Sequence, residues 1–139
     1  MGRILAIDYG RKRCGVAVTD ILQISANGLP TVRTCDLLDF IAQYLSKEEV
    51  DKIIIGDPKD MSGNPSENKQ YIVPFVNRIK KLYPHIPVEW VDERFTSVIA
   101  HRELIAGGFK KKERQEKGRT DEISAVLILT TYLETKLNN

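Results

Sequence analysis

The run Val50-Asp51-Lys52-Ile53-Ile54-Ile55 ends in three consecutive β-branched residues. An amphipathic strand alternates, and a helix of this composition would carry polar residues every third or fourth position. Isoleucine on both sides of one short segment therefore marks a strand covered on both faces, the environment of a parallel strand inside an α/β sheet. Gly56-Asp57-Pro58 closes the segment. A chain of 139 residues that must supply a sheet and helices for both of its faces has length for one domain, residues 1–139, built around a single core.

The other elements are consistent with that layout. Residues 4–8 and 15–19 form two short apolar strands joined by a tight connection, hence antiparallel neighbours. Residues 24–34, interrupted by Asn27-Gly28 and Pro30, suit an irregular edge strand, where proline is tolerated. Asp36 stands as a cap before a helix to about residue 47, with Leu37, Leu38, Ile41, Tyr44 and Leu45 as its apolar face. Asn64, Pro65 and Glu67 form a helix start, and Ile72, Phe75, Val76, Ile79 and Leu82 its buried stripe, closed by Pro84 and Pro87. Residues 87–91 give a fifth strand. Thr96 or Ser97 caps a helix stopped by Gly107-Gly108, and Thr120 caps a last helix, residues 121–137, with Ile123, Val126, Leu127, Thr130 and Leu133 in one row. The predicted fold is α/β and ribonuclease H-like by element order: a five-stranded mixed sheet, a three-stranded antiparallel meander plus two parallel strands, with helices on both faces.

Several function classes are excluded or disfavoured. The apolar runs fall far short of the roughly 18–20 residues of a membrane span, and Asp8 interrupts the amino-terminal apolar stretch before a signal-peptide core can form, so the expected location is cytoplasmic. Cys14 and Cys35 have no metal-binding spacing and are expected to pack as small hydrophobes. His85 and His101 stand beside no acidic motif and are expected at the surface. The net charge of +2 is uninformative, but residues 110–119 hold six bases (Lys110, Lys111, Lys112, Arg114, Lys117 and Arg119) against Glu113 and Glu116. Arg11-Lys12-Arg13 forms a second cluster. Either cluster is compatible with a solvated loop or with a polyanion contact.

The acids are more specific. Asp8 shares a strand face with Ile4 and Ala6 at the carboxyl end of its strand, and Asp92 and Glu93 end the fifth strand, where ligands of open α/β sheets bind. Asp121 begins the last helix, in the same helical row as Ala125 and Ile128. Singly, each has a simpler role, as a turn residue, a loop carboxylate or a first-turn acid favoured by the helix dipole. Together, three acids at one sheet end would repel one another unless cations lay between them, and hard divalent ions suit oxygen ligands and phosphodiester hydrolysis.

Four segments in order carry a resemblance: residues 8–20 (DYGRKRCGVAVTD), Gly56-Asp57-Pro58 with Gly63, residues 92–97 (DERFTS), and residues 121–129 (DEISAVLIL). Over essentially the whole chain the sequence resembles the YqgF (RuvX-like) family of pre-16S ribosomal RNA nucleases, also described as Holliday-junction resolvases. The resemblance implies a metal-dependent nuclease with Asp8, Asp92 or Glu93, and Asp121 as catalytic and metal-binding residues. Similarity to the resolvases favours Glu93 over Asp92, and both are retained. It implies magnesium or manganese as cofactor, and structured RNA or branched DNA as partner. A monomer or weak homodimer without a membrane association is expected. Arg11, Lys12, Arg13, Arg94, Thr96, Ser97, Lys110, Lys111 and Lys112 are candidate nucleic-acid contacts, the first four as phosphate clamps and Thr96 and Ser97 through helix amino-terminal N–H groups. The basic segment 110–119, with glycines before and within it, is expected to be a mobile loop. A non-cutting adaptor is the alternative from another class. Actin-like ATPases share the sheet, but they need a second domain that this length does not provide.

Overall fold

The computed structural model describes residues 2–58, 67–92 and 117–137, with side chains in the last segment from 124 to 135. Its strands are β1 (Arg3–Asp8), β2 (Arg13–Thr19), β3 (Ala26–Arg33), β4 (Val50–Asp57) and β5 (Val88–Asp92). They form one sheet in the order β3-β2-β1-β4-β5. The pairs β3–β2 and β2–β1 are antiparallel, and β1–β4 and β4–β5 are parallel. This is the expected meander extended by two parallel strands. Pro30 falls on the edge strand beside a register shift between Cys14 and Val16, a place where its missing N–H leaves the ladder intact.

Two clusters cover the two faces. On one, Leu5, Ile7, Cys14, Val16, Ile53 and Ile55 pack against Leu37 and Ile41 of α1 (Leu37–Lys47) and Ile72, Phe75, Val76 and Ile79 of α2 (Lys69–Leu82). On the other, Ile4, Ala6, Ala17 and Ile54 pack against Ala125, Ile128, Leu129 and Leu133 of α3 (Lys117–Leu137). The three isoleucines thus divide, Ile53 and Ile55 to one side and Ile54 to the other, and all are fully buried.

Several boundaries differ from expectation. Strand β4 continues through Gly56 and Asp57, because β5 pairs with both positions. Asp36 precedes α1 but makes no side-chain cap: a 3-10 turn at Thr34–Asp36 already sets its backbone near the helical region. Glu67 and Asn68 form a turn and α2 begins at Lys69, while residues 59–66, with the expected start at Asn64, lie outside the described residues. Leu82 is exposed, since Tyr83 and Ile86 fill the core beyond Ile79. Cys14 is buried as expected but Cys35 is exposed, lifted off the core by the 3-10 turn. His85 is exposed.

The last helix is already helical at Lys117, so Thr120 is inside it and Gly118 belongs to its first turn rather than to a loop. Its sheet-facing row is Ala125, Ile128, Leu129 and Leu133 with Val126 packed beside it, so of the expected row Val126 and Leu133 meet the sheet while Leu127 and Thr130 are not in that cluster. Val126 to Leu129 is apolar at four successive positions, so hydrophobicity alone does not choose the face. Ala125 decides it, because its small side chain lets the helix approach the sheet.

Lys52 ties this layer together. Its ammonium donates to the Tyr132 hydroxyl of α3 (2.5 Å) and to Glu89 Oε1 of β5 (3.0 Å). The bond to Tyr132, and then the one to Glu89, raises its pKa above the ordinary 10.5. A raised folded-state pKa stabilises below the unfolded value and is lost as pH rises through the folded one. Tyr132→Phe is therefore expected to cost up to about 1 kcal/mol at pH 7 by urea unfolding, and the difference from the parent should shrink once pH passes 10.5.

Candidate active site

The carboxyl ends of β1, β4 and β5 lie at one end of the sheet, and each ends in an aspartate: Asp8, Asp57 and Asp92. Alternation separates them. Asp8 follows Ile4 and Ala6 onto the α3 face, where it is half-buried opposite Gly15. Asp57 follows Ile53 and Ile55, and Asp92 follows Val88 and Trp90, so these two stand side by side in register on the α2 face.

The turn after Asp8 is pinned from three directions. A Cβ at Gly10 would collide with the Arg13 carbonyl oxygen, a backbone atom that cannot swing aside, so the tight Asp-Tyr-Gly turn requires glycine there. Thr34 Oγ1 donates to the Gly10 carbonyl (2.6 Å), and its backbone N–H to the Lys12 carbonyl (3.0 Å). Asn68 Nδ2 donates to the Tyr9 carbonyl (3.1 Å), and the Tyr9 ring packs on Phe75 with centroids 5.1 Å apart. Burial, with a smaller contribution from Cys14, pushes the Tyr9 phenol above its usual pKa. The carboxylate of Asp8 is thus carried by a backbone fixed on both sides.

On the α2 face, Lys69 Nζ lies 3.2 and 3.3 Å from the two Asp57 carboxylate oxygens and 4.9 Å from the centre of the Trp90 ring. The pairing supplies a cation to a carboxylate that is otherwise buried, which a folded protein cannot leave uncompensated. In the sequence, Asp57 reads as part of a strand-ending turn and of one resemblance segment, away from the acids; the structure corrects that, since it stands beside Asp92. Its register with Asp92, two strand ends read from separate motifs, emerges only once the sheet is assembled.

Of the residues singled out in the sequence, the structure places Asp8 at this end on one face and Asp92 at the same end on the other. Position 121 is in the first half of α3, one turn before the sheet-packed Ala125 and in its helical row. Arg11 and Lys12 are exposed in the turn beyond Asp8, and Arg13 opens β2. Glu93, Arg94, Thr96, Ser97, Lys110, Lys111, Lys112 and His101 lie outside the described residues, as does most of the expected mobile basic segment. Among the described residues, no three His, Cys, Asp or Glu side chains gather closely enough to hold a metal, and no helix is long and apolar enough to cross a membrane.

The family model described as "RuvX: Holliday junction resolvase" matches residues 2–135. A protein of Phocaeicola vulgatus is 63% identical over 136 residues, covering 98% of both chains, and one of Bacteroides thetaiotaomicron is 60% identical over 98% of this chain and 99% of its own. A Flavobacterium johnsoniae protein is 49% identical with the same coverages. All three carry the name "Putative pre-16S rRNA nuclease". Among solved structures, Thermus thermophilus RuvC in complex with a Holliday junction substrate is similar with a TM-score of 0.59 and 14% identity, over 97% of this chain and 96% of that one. A second structure of Thermus thermophilus RuvC matches with a TM-score of 0.51 and 12% identity, over 96% of each chain. The element order, the mixed sheet and these matches agree: the chain belongs to the RuvX family of ribonuclease H-like nucleases.

Proposed function

We propose that this chain is a metal-dependent nuclease that hydrolyses phosphodiester bonds in structured nucleic acid, with 5′-end processing of pre-16S ribosomal RNA as its main task. The observation that carries this reading is Asp8: a carboxylate on a rigid turn at the carboxyl end of the central strand, on the face against which α3 packs. The names of relatives at 49–63% identity favour RNA as substrate. The family description favours a second substrate, the four-way DNA junction.

The donor chemistry fits magnesium or manganese. Asp8 offers hard carboxylate oxygens, Gly15 opposite it adds no side chain, and the row of α3 that reaches the sheet at Ala125 continues back to Asp121. We assign the ligands to Asp8, Asp121 and an acid of the Asp92-Glu93 pair, favouring Glu93 because alternation turns Asp92 to the α2 face. When bound, such ions supply an activated water and neutralise the charge on the attacked phosphate. Asp8 and its partners hold their oxygens in place. Arg11, Lys12, Arg13 and Arg94 bind flanking phosphates, and Thr96 and Ser97 offer backbone N–H groups. We further propose that residues 1–139 act as one domain, in the cytoplasm, as a monomer or weak homodimer.

Incubating the purified chain with labelled precursor RNA and with four-way DNA junctions, each with magnesium, manganese or EDTA, tests the reading. Metal-dependent cleavage of the RNA supports it, junction cleavage alone shifts it to the second substrate, and binding without cleavage of either would leave an adaptor. Lys110, Lys111 and Lys112 together replaced by Ala are expected to weaken binding and to lower the slope of log affinity against log salt by about 2 to 3, at roughly 0.7–0.9 per lost phosphate contact. Thermal stability should hardly change, and an unchanged salt slope would remove the segment from the interface.

A further inference from the structure

The turn that leaves Asp8 meets the first turn of α2 through an exposed cation-aromatic pair. The Arg11 guanidinium carbon lies 4.9 Å from the centre of the Tyr71 ring. Tyr71 lies off the buried stripe of α2, formed by Ile72, Phe75, Val76 and Ile79, and is 43% exposed. It therefore contributes little to the core, and much of its ring stays open to solvent. The junction beneath it is rigid, since Asn68 holds the Tyr9 carbonyl and the Tyr9 ring lies on Phe75. Arg11 is three residues beyond Asp8, and Lys12 follows it, also exposed.

Resting on the nuclease reading above, we propose that Tyr71 with Arg11 is a stacking platform for an unpaired base of the strand that crosses the sheet end past Asp8, making the chain select single-stranded or splayed segments over continuous duplex. Every base has a π-face that an aromatic ring or a guanidinium plane can cover, but in a duplex those faces are already stacked on neighbouring bases. The tyrosine already orders the guanidinium, so less side-chain freedom is lost when a nucleotide docks. Lys12, next along the turn, supplies charge for the adjoining phosphate. A strand crossing this end of the sheet from the α3 face to the α2 face would then pass Asp8 and lay an unpaired base on Tyr71.

The test is fluorescence anisotropy with the full chain in EDTA, which prevents cleavage, using a labelled single-stranded RNA of about 12 nucleotides and the blunt duplex of the same sequence. Tyr71→Ala is expected to weaken single-strand binding about tenfold and duplex binding less than about twofold, the size of one lost base stack. Tyr71→Phe keeps the ring and should stay within about twofold of the parent on both. Arg11→Ala, in an exposed turn, should give a single-strand loss as well, with a salt slope lower by about 0.7. The inference is overturned if Tyr71→Ala, folded by circular dichroism, leaves single-strand affinity within twofold, or weakens both forms equally. If Tyr71→Ala does not fold, an Arg11→Ala loss equal on both forms overturns it. A parent chain that binds neither form overturns the inference, while the nuclease reading is decided separately by the cleavage assay with precursor RNA and four-way junctions, so the two failures are distinguishable.

Discussion

Asp8→Asn is expected to reduce cleavage by roughly 10²–10³-fold or more, on the scale seen when a group aimed at developing charge is removed, while the thermal transition stays within a few degrees of the parent. The change keeps the volume and planar shape of the side chain, removes its negative charge and turns one acceptor oxygen into an NH2 donor. Asp8 is half-buried at the end of β1, and the turn beyond it is held by Gly10, Thr34 and Asn68, none of which depends on the carboxylate. The fold should therefore tolerate the substitution even though the site does not. Cleavage assays beside circular dichroism melting separate the two effects. Full activity in a folded Asp8→Asn protein would remove Asp8 from the chemistry.

The second large effect is on stability. Leu129→Ala should destabilise the chain by about 2–5 kcal/mol, the range for emptying a fully buried leucine site. Leu129 is fully buried against Ile4, Ala6, Ala17 and Ile54, and it anchors α3 to the strand face that carries Asp8. The sheet is rigid and cannot collapse far into the space, so the upper half of that range is expected. Set against a typical total of about 5–15 kcal/mol, this is a large fraction. Urea unfolding measures it as a lower midpoint at unchanged slope. A cost below about 1 kcal/mol would mean that α3 is not held by this row.

The fold was largely legible in the sequence because its strongest signals are local. Ile53-Ile54-Ile55 requires cover on both faces, and the short connection between β1 and β2 requires an antiparallel pair. Pro30 confines β3 to an edge. The face of α3 was legible only in part: Asp121, Ala125 and Ile128 read as one row, but Val126 to Leu129 offers apolar side chains in several directions, and the close packing at Ala125 selects among them. The pairing of Asp57 with Lys69, 12 residues apart on two elements, was not legible, since strand and helix periodicities fix a face but not which side chains meet across it.

The carboxylates show the same division. That acids end β1 and β5 follows from the β-type segments before them, Ile4 to Ile7 and Val88 to Val91. Which acid shares a face with Asp8 depends on where β5 stops: expected to end at Val91, it continues through Asp92, and one residue of strand decides the face. Asp92 consequently joins Asp57 rather than Asp8.

The most direct measurement is the anomalous difference map of crystals soaked in manganese. The account predicts a peak bonded to an Asp8 carboxylate oxygen at about 2.0–2.2 Å, on the α3 face of the sheet, that is lost in Asp8→Asn crystals. A peak held by Asp57 and Asp92 on the α2 face, or none at a manganese concentration that supports full cleavage, would contradict it.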